Sequence, residues 1–289
     1  MKFRRTMLFI PGNNPGMLQT ADVFGADSVI FDLEDAVALT EKDAARALVR
    51  EALLTNDYGD SEVVIRINPF STPYALDDID TVARLKPSAI LLPKATPEDM
   101  RLLDEKLEQI EKEEGIEPGS IKIHALVETT YGVETVYDTI KASKRCESVI
   151  LGGEDLAADL AVKRTPDSEE LFYARVKIVN ACKAMKVAAI DTPFTDTNDE
   201  AGLAADTMKA KKLGFSGKLA INPRQINTIQ KLFNPTEAEI RYAERVLAAK
   251  DEAEKNGLGV FSLDGKMVDL PIILRAIQTL EMAGVSYEK

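Results

Sequence analysis

The chain has 289 residues, 45% of them hydrophobic and 29% charged, a balance typical of a globular protein that can bury a core without disulfides or structural metal. Its 48 acidic against 36 basic residues leave a net charge of −12, which argues against nucleic acid as the main partner, because phosphate binding needs a basic face. Two isolated cysteines, Cys146 and Cys182, and one histidine, His124, exclude a disulfide scaffold, a cysteine-rich zinc site and a multi-histidine metal centre.

The basic N-terminus leads into an apolar run of Met7 to Ile10, which Pro11-Gly12 ends. A secretory signal needs an apolar stretch of about 7–15 residues. A membrane helix needs about 18, and no stretch approaches that. A cytoplasmic protein without membrane association is expected.

Short apolar runs then alternate with longer amphipathic stretches. The pattern predicts strands at 6–10, 28–33, 62–68, 89–93, 121–128, 148–152, 187–190 and 218–221. Several, such as AILLP and SVILG, are almost wholly apolar, as parallel strands buried on both faces are. Between them, 41–54 places Ala45, Leu48, Val49 and Ala52 on one helical face. Residues 97–112 open with Thr96 as N-cap, Pro97 at the first helical position and Glu98 and Asp99 in the first turn. Stretches 171–185 and 200–213 are also amphipathic.

Eight strands, each followed by a helix or room for one, predict a (β/α)8 TIM barrel over 1–233. A doubly wound open sheet is the alternative, but PGNNPG lacks the glycine spacing of its first turn. Residues 234–289 then form a C-terminal helical arm. It has helices at 237–256 and 272–283 around the glycine-rich segment GLGVFSLDGKMVDLP, where Gly257, Gly259 and Gly265 allow an extended path. Such an arm packs on its own barrel or on a neighbouring subunit, and the latter predicts a homo-oligomer.

In a barrel of this type, function gathers where strands end and βα loops begin. Those positions carry Asp32, Glu34 and Asp35, then Arg66 and Asn68, Lys94, Glu128, and Glu154 and Asp155. An acidic set with one arginine and one lysine suits a divalent cation with carboxylate ligands, Mg2+ or Mn2+, and an anionic substrate. Glu128 either ligates such an ion or opens the next helix as a cap or first-turn acid. Asp155, one βα unit further on, carries the same two readings. Glu154 and Asp155 are consecutive, so one of them faces the mouth and the other stands behind it.

Arg66, in VVIRINP, is costly to bury unpaired. It either makes a salt bridge inside the barrel with Asp32 or Glu34, or presents its fork to substrate oxygens. Lys94 can form a Schiff base, hold an anion or pair with an acid. His124, in an apolar strand, reads as a hydrogen-bonded core residue, and the two cysteines as packing residues.

The segments RRTMLFIPGNNP, SVIFDLEDAV, VIRIN, ILLPK, ALVETTYG, LGGEDLAADL, AINPRQI and GKMVDLP, in that order, resemble the beta subunits of bacterial citrate lyase, within the HpcH/HpaI aldolase and malyl-CoA lyase superfamily. The resemblance covers nearly the whole chain. It implies a TIM barrel and a Mg2+-dependent lyase that cleaves a citryl thioester to oxaloacetate and an acetyl thioester. The superfamily also holds malyl-CoA and related CoA-ester lyases and thioesterases, and a non-catalytic scaffold subunit is a further alternative. By resemblance the metal ligands fall on Glu128 and Asp155 and the substrate arginine on Arg66. Asp32, Glu34 and Asp35 line the metal region, and Lys94 supports it. Asp269 of the GKMVD motif is the residue that reaches the site of an adjacent subunit in a trimer or hexamer. The thioester carrier is CoA, or a CoA-like prosthetic group on an acyl carrier subunit, and a citrate lyase alpha subunit is a further partner. Asn222-Pro223 replaces the His-Pro of many superfamily members.

Overall fold

The computed structural model describes residues 3–255 and 259–285, so Gly257 of the arm lies outside the described residues. The chain divides into two compact units, Met1–Gln230 and Lys231–Lys289.

The first unit is a closed barrel of eight parallel strands in sequence order. They are β1 (Thr6–Pro11), β2 (Ser28–Asp32), β3 (Glu62–Arg66), β4 (Ala89–Leu92), β5 (Lys122–Val127), β6 (Cys146–Leu151), β7 (Ala188–Asp191) and β8 (Gly217–Ala220). The last pairs with the first, Met7 opposite Leu219, which leaves no edge. The helices are α1 (Pro15–Gln19), α2 (Lys42–Thr55), α3 (Ala75–Ala83), α4 (Pro97–Glu114), α5 (Thr130–Lys141), α6 (Gly153–Asp159), α7 (Phe172–Met185), α8 (Glu200–Leu213) and α9 (Ile226–Phe233). All eight expected strands are present. The third ends at Arg66 rather than at 68, because Asn68 turns its backbone N–H and its side-chain amide to Asp78 Oδ2, at 2.9 and 2.7 Å, instead of continuing the ladder.

Local chemistry explains the helix limits. Thr96 Oγ1 accepts from the Asp99 N–H at 3.1 Å and Pro97 follows it, as expected, while Gly115 at φ 64° ends α4. Asp199 caps α8 in the same way, accepting from the Gly202 N–H at 2.8 Å.

Strand periodicity builds the barrel interior in layers. Met7, Ile30, Val64, Leu91, Leu126, Ile150, Ile190 and Leu219 pack together, one from each strand. Two residues earlier, on the same faces, lies a polar layer. There Ser28 Oγ donates to Glu62 at 2.7 Å, Arg4 forks onto both Glu62 oxygens at 2.6 and 2.7 Å, and Ser148 Oγ lies 2.8 Å from His124 Nδ1. His124 is fully buried, and burial pushes its pKa below the ordinary value despite nearby Glu62, so it is a neutral core group. Two residues later lies the layer at the C-terminal mouth, which holds Phe9, Asp32, Arg66, Glu128 and Gly152.

Outside the barrel wall, Arg175 forks onto Asp191 at 2.9 Å for each bond, and Lys218 Nζ reaches Asp191 and Asp206 at 2.7 and 2.5 Å. This buried, charge-balanced quartet ties α7 and α8 to β7 and β8. Cys146 and Cys182 are buried free thiols whose pKa burial raises to about 12, which makes them inert packing groups.

The second unit contains α10 (Glu237–Lys255), a hairpin of β9 (Phe261–Leu263) and β10 (Lys266–Val268), and α11 (Leu270–Met282). Val246, Leu247, Val268, Ile273, Ala276 and Leu280 form its core. The hairpin turn, Asp264-Gly265, has both residues at positive φ, 53° and 74°, as a type I′ turn requires. Among the described residues no helix is long and apolar enough to cross a membrane.

Candidate active site

At the mouth, the register sets Asp32 directly beside Arg66 on neighbouring strands. Arg66 donates from Nε and Nη2 to the two Asp32 oxygens at 2.7 and 2.5 Å. Asp32 also accepts the backbone N–H of Glu34 at 2.8 Å and of Ala36 at 3.0 Å. Its acceptor capacity is filled, so it is an anchor for the arginine rather than an open ligand. Arg66 lies 4.7 Å above the Phe9 ring, a cation–π contact beneath the guanidinium. The edge formed by Nε and Nη2 is therefore taken up by Asp32, and the fork does not face substrate as a free pair. Nη1 points to Glu34 Oε2 at 2.9 Å and Asp35 Oδ2 at 3.5 Å.

Glu34 is buried. Lys42 Nζ fixes its loop from behind by donating to the carbonyls of Leu33 and Glu34 at 2.8 and 2.7 Å, and Asn68 Nδ2 donates to Leu33 O at 2.9 Å. Glu34 Oε1 accepts from Lys94 Nζ at 3.0 Å. Its Oε2 is buried without a hydrogen-bond partner, although the Arg66 charge is near. Asp35 is exposed at the rim.

Glu128 follows β5 directly. The cap of the next helix is Thr129, whose Oγ1 accepts from the Gly132 N–H at 3.0 Å, so Glu128 is released from that duty. Its Oε1 accepts from the Lys94 backbone N–H at 2.9 Å. The side chain lies against Gly152, where an added Cβ would stand 2.5 Å from Glu128 Cβ and 2.6 Å from Oε2. Burial, with the carboxylates of Glu34 and Asp155 nearby, raises the Glu128 pKa to about 8 against the pull of Arg66 and the Lys94 N–H. Burial also raises Glu34. For Arg66 and Lys94 the carboxylate partners outweigh burial, and both stay protonated.

Asp155 lies in the first turn of α6, and its Oδ2 is 3.5 Å from Lys94 Nζ. Its neighbour Glu154 turns away to Arg164 at 2.8 Å. The structure thus brings Asp32, Glu34, Asp35, Arg66, Lys94, Glu128 and Asp155 into one cluster. Asp269 belongs to the second unit. It occupies the N-cap position of α11, yet its side chain makes no capping bond. Sequence reasoning missed Phe9 and Lys42. The strand period from Met7 could have found Phe9, whereas nothing local marks Lys42 as buried.

The cluster fits a divalent cation. Five carboxylates, Asp32, Glu34, Asp35, Glu128 and Asp155, face two cations, Arg66 and Lys94, leaving a formal charge of −3 when all are ionised. The donors are oxygens throughout, and one of them, Glu34 Oε2, is buried with the Arg66 charge beside it but no hydrogen bond. Among the described residues no three acidic, histidine or cysteine groups form a ready metal cage. Mg2+ does not need one, since it is usually held by one or two carboxylates, with waters and substrate oxygens completing the octahedron.

Over 287 residues the chain is 45% identical to the citrate lyase subunit beta of Leuconostoc mesenteroides subsp. cremoris, covering 99% of this chain and 95% of that one. The structure is similar to the CitE protein of Mycobacterium tuberculosis in complex with magnesium, acetoacetate and coenzyme A, with a TM-score of 0.80, 29% identity and 98% of each chain covered. It is also similar to a citrate lyase beta subunit from M. tuberculosis complexed with oxaloacetate and magnesium, with a TM-score of 0.68, 28% identity and coverage of 81% of this chain and 98% of that one. The HpcH/HpaI aldolase/citrate lyase family matches residues 5–223. A closed parallel barrel, an acidic mouth with one arginine, and this extent of similarity lead to one conclusion: the chain belongs to the HpcH/HpaI aldolase/citrate lyase family.

Proposed function

We propose that this protein is a Mg2+-dependent carbon–carbon lyase that cleaves a citryl thioester to oxaloacetate and an acetyl thioester. The observation that carries the reading is the pair Glu128 and Asp155 at adjacent strand mouths, beside Arg66, in a chain 45% identical to a citrate lyase beta subunit. Glu128 and Asp155 would hold the metal. When bound, Mg2+ supplies Lewis acidity toward the hydroxyl and carboxylate oxygens of the substrate.

The reaction is a retro-Claisen cleavage. The C3 hydroxyl gives its proton to a carboxylate of the mouth, the carbon–carbon bond breaks, its electron pair stays on the acetyl-thioester enolate, and oxaloacetate departs. Arg66 faces this chemistry through Nη1, which neutralises developing oxyanion charge while Asp32 keeps the guanidinium in place. Glu34 and Lys94 line the same side of the mouth. The enolate carbon must then receive a proton. Asp269, on the arm comprising 234–289, is our candidate donor, contributed to the site of an adjacent subunit. Its side chain spends nothing on capping α11, which supports that role. This arrangement requires a homo-oligomer, a trimer or a hexamer by analogy with the family. The thioester is carried by CoA or by a CoA-like group on an acyl carrier subunit, with a citrate lyase alpha subunit as a further partner, in the cytoplasm.

Product analysis of the purified full chain with citryl-CoA and malyl-CoA, with and without Mg2+, tests the reading. Oxaloacetate and acetyl-CoA from citryl-CoA in Mg2+ are expected. Faster turnover of malyl-CoA, or turnover of citryl-CoA in the presence of excess chelator, would overturn it.

A further inference from the structure

Lys94 is left with more contacts than a supporting residue needs. β4 ends at Leu92, Pro93 follows, and Lys94 then adopts φ 49°, a left-handed conformation that costs a side-chain-bearing residue about 1 kcal/mol or more and a glycine nothing. That turn aims the Lys94 backbone N–H at Glu128 Oε1, 2.9 Å away. It also sends the side chain across the mouth, where Nζ reaches Glu34 Oε1 at 3.0 Å and Asp155 Oδ2 at 3.5 Å. One residue after β4 thereby touches carboxylates that follow β2, β5 and β6. A glycine would supply the same N–H without strain, so the N–H alone does not account for a lysine here. The ammonium does, and what it touches are acids of the proposed metal site. Its side chain is 40% exposed and that of Asp155 41%, so the pair stands where water can take over from either partner.

We infer that Lys94 is a positioning residue that sets metal affinity: its backbone N–H fixes Glu128, while its ammonium competes with the divalent cation for the charge of Glu34 and Asp155. The physical reason is electrostatic. An ammonium and a dication drawn to the same carboxylates repel each other, and each weakens the other's hold. A metal held against an internal competitor exchanges more readily than one held by bare carboxylates. This inference rests on the metal-site reading above.

The test is Mn2+ binding to the full-length protein, followed by the electron paramagnetic resonance signal of free Mn2+ and by calorimetry. Wild type, Lys94→Met, Lys94→Arg and Glu128→Gln are compared. Lys94→Met keeps the length, the left-handed backbone and the N–H, and removes the charge. It is expected to bind Mn2+ about tenfold more tightly. Lys94→Arg keeps the charge and should stay within about threefold of wild type. Melting curves without Mn2+ establish that each variant is folded, and Lys94→Gln repeats the measurement should Lys94→Met misfold. Unchanged or weaker binding by Lys94→Met overturns the inference. So does equal tightening by Lys94→Arg, because the cause would then be packing and not charge. The metal-site reading fails separately: in that case Glu128→Gln binds Mn2+ as wild type does.

Discussion

Gly152→Ala isolates one geometric requirement of the site. Gly152 has φ −94° and ψ 88°, a conformation that alanine adopts, so any effect comes from the added methyl and not from backbone strain. That methyl would lie 2.6 Å from Glu128 Oε2 and 2.5 Å from Glu128 Cβ. The oxygen could swing aside. The Cβ cannot, because it is fixed to the end of β5, and the Gly152 N–H donates to Val127 O at 2.9 Å. Carbon atoms pack at about 3.5 Å, so the two strand ends must part by about 1 Å. Overpacking of this kind costs about 1–3 kcal/mol of stability. A shift of about 1 Å in the Glu128 carboxylate should lower kcat/KM by about a hundredfold, equal to ~2.7 kcal/mol in the barrier. The assay is steady-state cleavage of citryl-CoA at saturating Mg2+, together with a thermal melt. Gly16→Ala is the control, since its added Cβ meets nothing nearer than Asn14 Oδ1 at 3.6 Å. It should keep full activity and melt at an equal or higher temperature. A folded Gly152→Ala enzyme with kcat/KM within about threefold of wild type would refute both the close packing of Glu128 and its role.

Arg66→Lys replaces two bonds to Asp32 with at most one, so kcat/KM should fall at least about tenfold, ~1.4 kcal/mol. Unchanged kinetics would leave Arg66 as a purely structural ion pair. The Glu128 pKa of about 8 stands above the ordinary 4.5, so between those values the folded metal-free protein holds a proton that the unfolded chain has lost. Its stability therefore falls as pH rises through that window. Because Mg2+ needs the carboxylate, the rise in melting temperature on adding Mg2+ should grow from pH 5 toward pH 8 and then level off. Glu128→Gln should remove that growth, and a flat increment in wild type would contradict the assignment. Asp269→Asn should nearly abolish cleavage with little change in melting. Mixing it with inactive Glu128→Ala subunits under exchange conditions should restore part of the activity, whereas mixed oligomers that stay inactive would place Asp269 outside a shared site.

The barrel was legible because its strands, buried on both faces, are near-continuous apolar runs separated by amphipathic stretches, and one such unit repeats eight times. The site was legible in outline for a related reason. Polar residues that break an apolar strand at its C-terminal end, as Arg66 and Glu128 do, stand out against that pattern. The capping reading of Glu128 was removed only by structure. Whether Glu128 caps a helix depends on one step along the chain, and Thr129 takes that place. Which of Glu154 and Asp155 faces the mouth depends on Arg164, ten residues away, drawing off Glu154.

Composition, apolar periodicity and capping residues are properties of neighbours along the chain, so the sequence by itself determined the strands, six of the helices and the polarity of the mouth. It also determined which residue types stand there. Pairing is a property of neighbours in space. Asp32 meets Arg66 across 34 residues, Lys94 meets Glu34 across 60, and Glu128 finds its packing partner in Gly152 just past the end of the next strand. Barrel closure sets those distances, and with them whether the guanidinium edge is taken up by Asp32 and how far burial raises the carboxyl of Glu128. The tertiary structure decided these matters because desolvation and charge pairing depend on separations in ångströms, which no local pattern encodes.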